Sequence, residues 1–246
     1  MPSLAEIKTD GALKILVYGD PGSGKTCFAA GFPTPILYLD FDCKVDSAAL
    51  FYRKDTVRLQ AIDVRQLGSN LAVNPIQELE KIIASELVPQ QKSGQMKFKT
   101  LVLDSLTSFS SACLRYIVES NPGINRVKTK QGAQPGMQDF GILKREFKKL
   151  IPGLLDLPCN IVMCGHVATE KDEATGQIIR GALMDGSFAN ELPSLFKEAW
   201  RTCVDDKGQH WAQTRPDSKF SKLRSQIPGL PSLLPLNYAA LEKFIK

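Results

Sequence analysis

Leu13-Lys14-Ile15-Leu16-Val17-Tyr18 runs straight into Gly19-Asp20-Pro21-Gly22-Ser23-Gly24-Lys25-Thr26, and this stretch decides the fold. The apolar run is the pattern of a strand buried on both faces, as in a parallel sheet. The eight residues after it fit G-x-x-x-x-G-K-[ST] at every fixed position, and Lys25–Gly31, halted before Phe32-Pro33, predicts a short helix. Glycines there permit backbone angles that aim successive N–H groups at phosphate oxygens, and the helix N-terminus adds a favourable field. In such a loop the lysine, Lys25, reaches the β- and γ-phosphates and the hydroxyl of Thr26 is a Mg²⁺ ligand. Gly19, Asp20, Pro21, Gly22, Ser23, Gly24, Lys25, Thr26 and Cys27 are the candidate nucleotide-binding residues. A chance glycine-rich turn before a helix is the alternative.

Working outward, three further apolar runs predict buried strands. Ile36–Leu39 leads into Asp40-Phe41-Asp42, Thr100–Leu103 ends at Asp104-Ser105, and Asn160–Cys164 ends at Gly165-His166. Helices are predicted over Ile76–Leu87, Ser108–Glu119, Phe140–Leu155 (broken near Pro152-Gly153), Leu192–Ala199 and Tyr238–Ile245. Strands are expected around Trp200–Val204 and His210–Gln213, residues 50–75 read ambiguously, and Ser120–Gly136 and Ala168–Asp185 read as loops. Alternating strands and helices predict an α/β fold: a mostly parallel sheet with helices on both faces, built as a P-loop NTPase core. At 246 residues the chain is expected to form a single domain, with its core over about 13–224 and a Pro-rich tail and short helix over 225–246.

Composition excludes other classes. Hydrophobic residues are 43% and charged residues 23%, ordinary globular values that rule out disorder and fibrous architectures. The net charge of +5 is compatible with a nucleic-acid partner without pointing to one unaided. Six cysteines without a CxxC, and only two histidines, argue against a zinc site. No secretory pattern opens the chain, and no apolar run approaches the roughly 20 residues that span a bilayer. Reduced thiols in a cytoplasm, with no membrane contact, are expected.

Chemistry needs carboxylates near the phosphates. Asp104 stands where a strand-terminal acid would share Mg²⁺ with Thr26, although such a residue can equally cap a helix. A carboxylate that orients the attacking water should follow the second strand. Asp40 and Asp42 both qualify, and Asp42, just past the strand, is the favoured candidate. Asp46 reads as a solvated residue or cap. His166 lies at the strand C-terminal edge where α/β sheets bind ligands, so it is either a γ-phosphate sensor or a structural histidine. His210 reads as structural or exposed.

Together GDPGSGKT, LYLDFD, LVLDS and IVMCGH resemble the RecA-like ATPases, and more closely the small phage nucleotide-binding proteins of that superfamily proposed as single-strand annealing recombinases. The resemblance runs from about Leu13 to Arg224. It implies ATP and Mg²⁺ as cofactors, an oligomeric ring or filament, single-stranded DNA as partner, and plausibly a single-strand DNA-binding protein. It puts Lys25 and Thr26 on phosphate and Mg²⁺, Asp104 on the metal, Asp42 where RecA proteins carry the catalytic glutamate, and His166 where they carry a glutamine coupling γ-phosphate to DNA.

Two loops would then leave the nucleotide face. One carries Arg115, Arg126, Lys128 and Lys130, and the other carries Lys171 and Arg180; Lys144, Arg145, Lys148 and Lys149 lie between. These cations would neutralise phosphates without reading sequence, and a solvated basic face is the alternative. Among the late cations Arg215, Lys219, Lys222 and Arg224, the resemblance suggests a finger reaching the next subunit's γ-phosphate, with Lys222 or Arg224 favoured. The competing functions are a non-hydrolysing ATP switch, a P-loop kinase and a DNA motor. The kinase reading is disfavoured because residues 36–42 are expected to insert a strand between the phosphate-loop and metal strands, and because no dense arginine lid is visible.

Overall fold

The computed structural model describes residues 11–67, 73–123, 126–129, 132–171, 176 and 178–245. Strand β1 (Lys14–Gly19) feeds helix α1 (Lys25–Ala30), and β2 (Ile36–Asp40) follows. The ambiguous stretch contains α2 (Asp46–Phe51), α3 (Thr56–Gln60) and β3 (Ile62–Gln66), with Asp55 capping α3 by accepting from the Arg58 N–H. These elements are only five or six residues long, too short for periodicity to declare them.

Asn74 caps α4 (Pro75–Ile82), which continues through a π-helical turn (Ile83–Leu87) into α5 (Val88–Ser93), past the expected end at Leu87. Pro89 falls within the first turn of α5, where a missing N–H costs little. Next come β4 (Thr100–Asp104) and α6 (Leu106–Ser120), the latter capped by Ser105.

The first expected loop contains the two-residue strands β5 (Lys128–Thr129) and β6 (Gly132–Ala133), paired antiparallel. Helix α7 (Met137–Leu155) does not break at Pro152. Buried Ile151 and Leu154 hold its last turn on the core, and the Asp156 N–H still reaches the Pro152 carbonyl. The second expected loop is instead an extension of β7 (Asn160–Lys171) and its antiparallel partner β8 (Ile178–Leu183).

After α8 (Phe188–Glu191), the expected helix over Leu192–Ala199 is only a 3-10 turn (Leu192–Leu195). The chain then extends as β9 (Glu198–Val204), because Glu198 and Trp200 are drawn into the sheet, the Trp200 indole N–H donating to Glu198. β10 (His210–Gln213), β11 (Leu233–Pro235) within the Pro-rich tail and α9 (Tyr238–Glu242) complete the described elements.

The main sheet runs β11-β10-β9-β1-β7-β4-β2-β3, with β8 hydrogen-bonded to the outer part of β7. From β9 to β3 neighbouring strands are parallel, whereas β10, β11 and β8 join antiparallel. The strand between the phosphate-loop and Asp104 strands is therefore β7, and Ile36–Asp40 pairs on the far side of β4. That corrects the sequence expectation, since order along the chain does not give order in a sheet. The register Asp40↔Asp104↔Cys164 lines up the strand ends that carry the chemistry.

Helices cover both faces. Leu16, Leu103, Phe109 and Phe147 pack among α6 and α7 on one side, and Val17, Phe28, Val102 and Trp200 pack around α1 and α9 on the other. Phe109 stacks on Phe147 with centroids 5.4 Å apart, and burying each ring stabilises the fold by about 1.5–3 kcal/mol. Among the described residues no helix is long and apolar enough to cross a membrane.

Candidate nucleotide-binding site

The loop after β1 folds as its glycines dictate. Gly22 and Gly24 have φ of 77° and 92°, left-handed values that L side chains rarely adopt. Gly19 is tied by crowding rather than by φ: a Cβ there would fall 2.1 Å from the Thr202 hydroxyl on β9. The same hydroxyl lies 2.6 Å from Ser23 Oγ, which fastens the loop to the sheet. Lys25, largely buried, donates to the carbonyls of Gly19 (3.0 Å) and Asp20 (2.9 Å), and burial pulls its ammonium below the usual lysine range. Gly19, Asp20 and Ser23 thus form the base of the loop. Pro21, Gly22, Gly24, Lys25, Thr26 and Cys27 line a cavity of about 480 Å³.

Thr26 and Asp104, expected as a pair, are one. The Thr26 hydroxyl donates to Asp104 Oδ2 at 2.7 Å, and the Tyr38 hydroxyl donates to the same oxygen at 2.6 Å. Burial raises the Asp104 carboxyl above the ordinary range, against the pull of the Tyr38 and Thr26 hydrogen bonds. A hydroxyl and a carboxylate side by side at the helix start are hard oxygen donors, and that set suits Mg²⁺.

Asp40 and Asp42 separate cleanly. Asp40 accepts the backbone N–H groups of Lys44 and Val45, which shapes the turn after β2. Asp42 lines the cavity with Asp104 and His166. Its Oδ1 accepts from the Ser105 hydroxyl at 2.8 Å, and its Oδ2 lies 3.4 Å from His166 Nε2. Burial alone would raise this carboxyl, but hydrogen bonds from His166, Ser108 and Ser105 hold it well below the usual carboxylate range. His166 is not at a strand end: β7 continues five residues past it, and its N–H donates to Thr107 Oγ1.

Sequence reasoning missed several neighbours. His210, read as structural or exposed, stands over the loop with Leu236, so that a Cβ on Gly24 would meet His210 Nδ1 at 2.9 Å. Phe51, Ser47, Lys44 and Asp46 also line the cavity, Asp46 as an exposed residue in the first turn of α2. Tyr38 had a signal, because a tyrosine inside a buried apolar strand must find a partner for its hydroxyl. Thr202, His210 and Leu236 had none, since only strand pairing brings β9, β10 and β11 beside the loop.

The expected DNA contacts scatter. Arg126 is not free to contact DNA: its side chain is 4% exposed and forms a bidentate pair with Asp139, itself 0% exposed. The acid that starts α7 captures it, and a lone cation near a loop gave no sign of that. Lys130 lies outside the described residues. Lys128 and Lys171 are exposed, and Arg180 is half-buried on β8. On α7, Lys144 and Lys148 pair with Glu191, Lys149 with Glu80 and Arg145 with Glu146. Of the late cations, Lys222 donates to Asn190 and Arg224 to the Ser194 carbonyl, while Lys219 is exposed beside β8, its carbonyl accepting the Arg180 N–H. Within one chain none of these three lines the cavity.

A phosphate loop on the central strand of a parallel sheet, with the Thr26–Asp104 pair and Asp42 at adjacent strand ends, defines a P-loop NTPase core. A family model described as an AAA domain matches residues 12–224, and the chain belongs to that family, a P-loop ATPase-type one for which nucleotide binding is implied. A search of curated proteins finds no match.

Proposed function

We propose that this protein is a Mg²⁺-dependent ATPase that responds to single-stranded DNA and acts as a homo-oligomer in single-strand annealing or strand exchange. The observation that carries the reading is His166. One histidine sits on the Asp42 carboxylate inside the cavity and on the strand that runs out as the β7–β8 hairpin, so a change at the γ-phosphate has a direct route to the hairpin.

Lys25, which donates to the loop carbonyls, would turn to the β- and γ-phosphates of ATP, the backbone N–H groups of the glycine loop would receive phosphate oxygens, and Thr26 with Asp104 would hold the metal. Bound there, Mg²⁺ would supply countercharge to the phosphates. Asp42, kept ionised by its three partners, accepts a hydrogen bond from the attacking water and orients it. The apolar walls at Phe51 and Leu236 are suited to a purine.

The test is ATP hydrolysis with and without single-stranded DNA, with Lys25→Ala as the blank. Stimulation by DNA that vanishes in Lys25→Ala is the expected result, and turnover indifferent to DNA overturns the coupling. A second reading, an ATP switch that barely hydrolyses, is favoured by the short side chain of Asp42, whose two oxygens are already engaged by Ser105 and His166. It predicts ATP-dependent assembly, seen by light scattering, without phosphate release.

A further inference from the structure

On the sheet face opposite α1, the end of β1 carries Tyr18, in register with Arg201 of β9. Arg180 comes from β8, where it is the cross-strand partner of Thr169 and shares a hairpin face with Lys171. All converge on Phe220, a ring only 1% exposed: the Arg201 guanidinium lies 4.2 Å from its centroid, that of Arg180 5.9 Å, and the Tyr18 ring 6.4 Å.

Three polar atoms of this cluster lack partners among the described residues. Nε of Arg180, Nε of Arg201 and the hydroxyl of Tyr18 are buried with no hydrogen bond. Arg201 makes one long contact to Gln213 Oε1 at 3.4 Å, and neither arginine forms an ion pair among the described residues. Asp217 feels the charge of Arg201, but its oxygens are taken by the Gln213 amide and the N–H groups of Lys219 and Phe220. Two guanidiniums beside one ring repel each other, and buried donors without acceptors are costly. Contact with the Phe220 ring holds both guanidiniums at one spot, and a planar guanidinium matches a phosphate oxyanion.

We propose that Arg180 and Arg201, with the Tyr18 hydroxyl, form a second phosphate-binding site, distinct from the glycine loop and filled by a backbone phosphodiester of single-stranded nucleic acid. Lys171 continues the same face outward along the hairpin. The choice of ligand rests on the DNA-binding reading above, whereas the site itself does not. Its chemistry is that of a phosphate group, and free phosphate is the other source.

The full-length chain and the variants Arg180→Gln, Arg201→Gln and Arg201→Lys are compared with two probes. One is a fluorescein-labelled oligothymidylate, followed by anisotropy across a salt series; the other is inorganic phosphate, followed by calorimetry. ADP affinity equal to wild type certifies that each variant is folded. Each Gln variant is expected to lose oligonucleotide affinity several-fold and to flatten the slope of log K against log salt by about 0.7, one phosphate contact on a single strand. Arg201→Lys keeps the charge but not the fork, and recovers the slope without the full affinity. If wild type and both Gln variants bind the oligonucleotide alike, the site is overturned while DNA binding stands. If wild type binds no oligonucleotide, the DNA reading falls and the phosphate arm decides alone: a phosphate isotherm lost in both Gln variants supports a site for free phosphate, and an isotherm unchanged in them overturns the site.

Discussion

Replacing Tyr38 by Phe removes one oxygen from a wall of the candidate metal site and nothing else. The ring is fully buried between the sheet and α1, and Phe fills the same volume, so no cavity opens. What is lost is a 2.6 Å hydrogen bond from a hydroxyl to the buried carboxylate of Asp104. A hydrogen bond to a charged group contributes about 1.5–3 kcal/mol, because the unpaired ion would otherwise carry its desolvation cost alone. Urea unfolding of the nucleotide-free chain, followed by the fluorescence of buried Trp200, should therefore register a loss of that size with an unchanged denaturant slope. In an Asp104→Asn background the same bond joins two neutral groups and contributes only about 0.5–1.5 kcal/mol, so Tyr38→Phe should cost less there. Equal losses in the two backgrounds, or a loss below about 0.5 kcal/mol in the wild type, would refute the assignment of Tyr38 as the partner of a buried charge.

Gly24→Ala combines a left-handed φ of 92° with a Cβ 2.9 Å from His210 Nδ1, so ADP affinity measured by calorimetry should fall about tenfold for a strain of about 1–2 kcal/mol. Adding His210→Ala should recover the crowding but not the backbone strain. Asp139 supplies a pH dependence: hydrogen bonds from Arg126 first, and from the Gly136 N–H, hold its carboxyl below the usual range. A depressed acid contributes stability that is complete above its unfolded pKa and is lost as pH falls through the folded one. Urea midpoints of the wild type should therefore drop on acidification below about pH 4, and those of Asp139→Asn should drop less steeply.

The phosphate loop was legible because its function demands fixed residue types at fixed spacing, and the four central strands were legible because double burial leaves an unbroken apolar run. Lys25, Thr26, Asp104, Asp42 and His166 line one cavity, because the phosphate loop and the residues at or after the aligned strand positions Asp40, Asp104 and Cys164 lie at one edge of the sheet. What stayed hidden depends on partners distant in sequence. The strand beyond Gly165 looked like a loop because its alternation is weak once it leaves the core; only pairing with β8 makes it a strand. Arg126 reads as a DNA contact because charge in a sequence shows sign but not partner. Phe220 is hidden in the same way, since it lies 40 residues after Arg180 in sequence yet its ring sits beside that guanidinium.

The wall supplied by Leu236 has a consequence for how the chain can be divided. The family match ends at residue 224, yet β11 closes the sheet over Leu233–Pro235, and Leu236, hydrogen-bonded through its N–H to the His210 carbonyl, faces the cavity. The smallest fragment able to present the whole cavity therefore extends at least to Leu236, twelve residues beyond the recognisable homology. Nucleotide occupancy and the docking of that last strand share one surface, so each should steady the other, and the edge of the sheet farthest from β3 becomes a reporter of what the cavity holds.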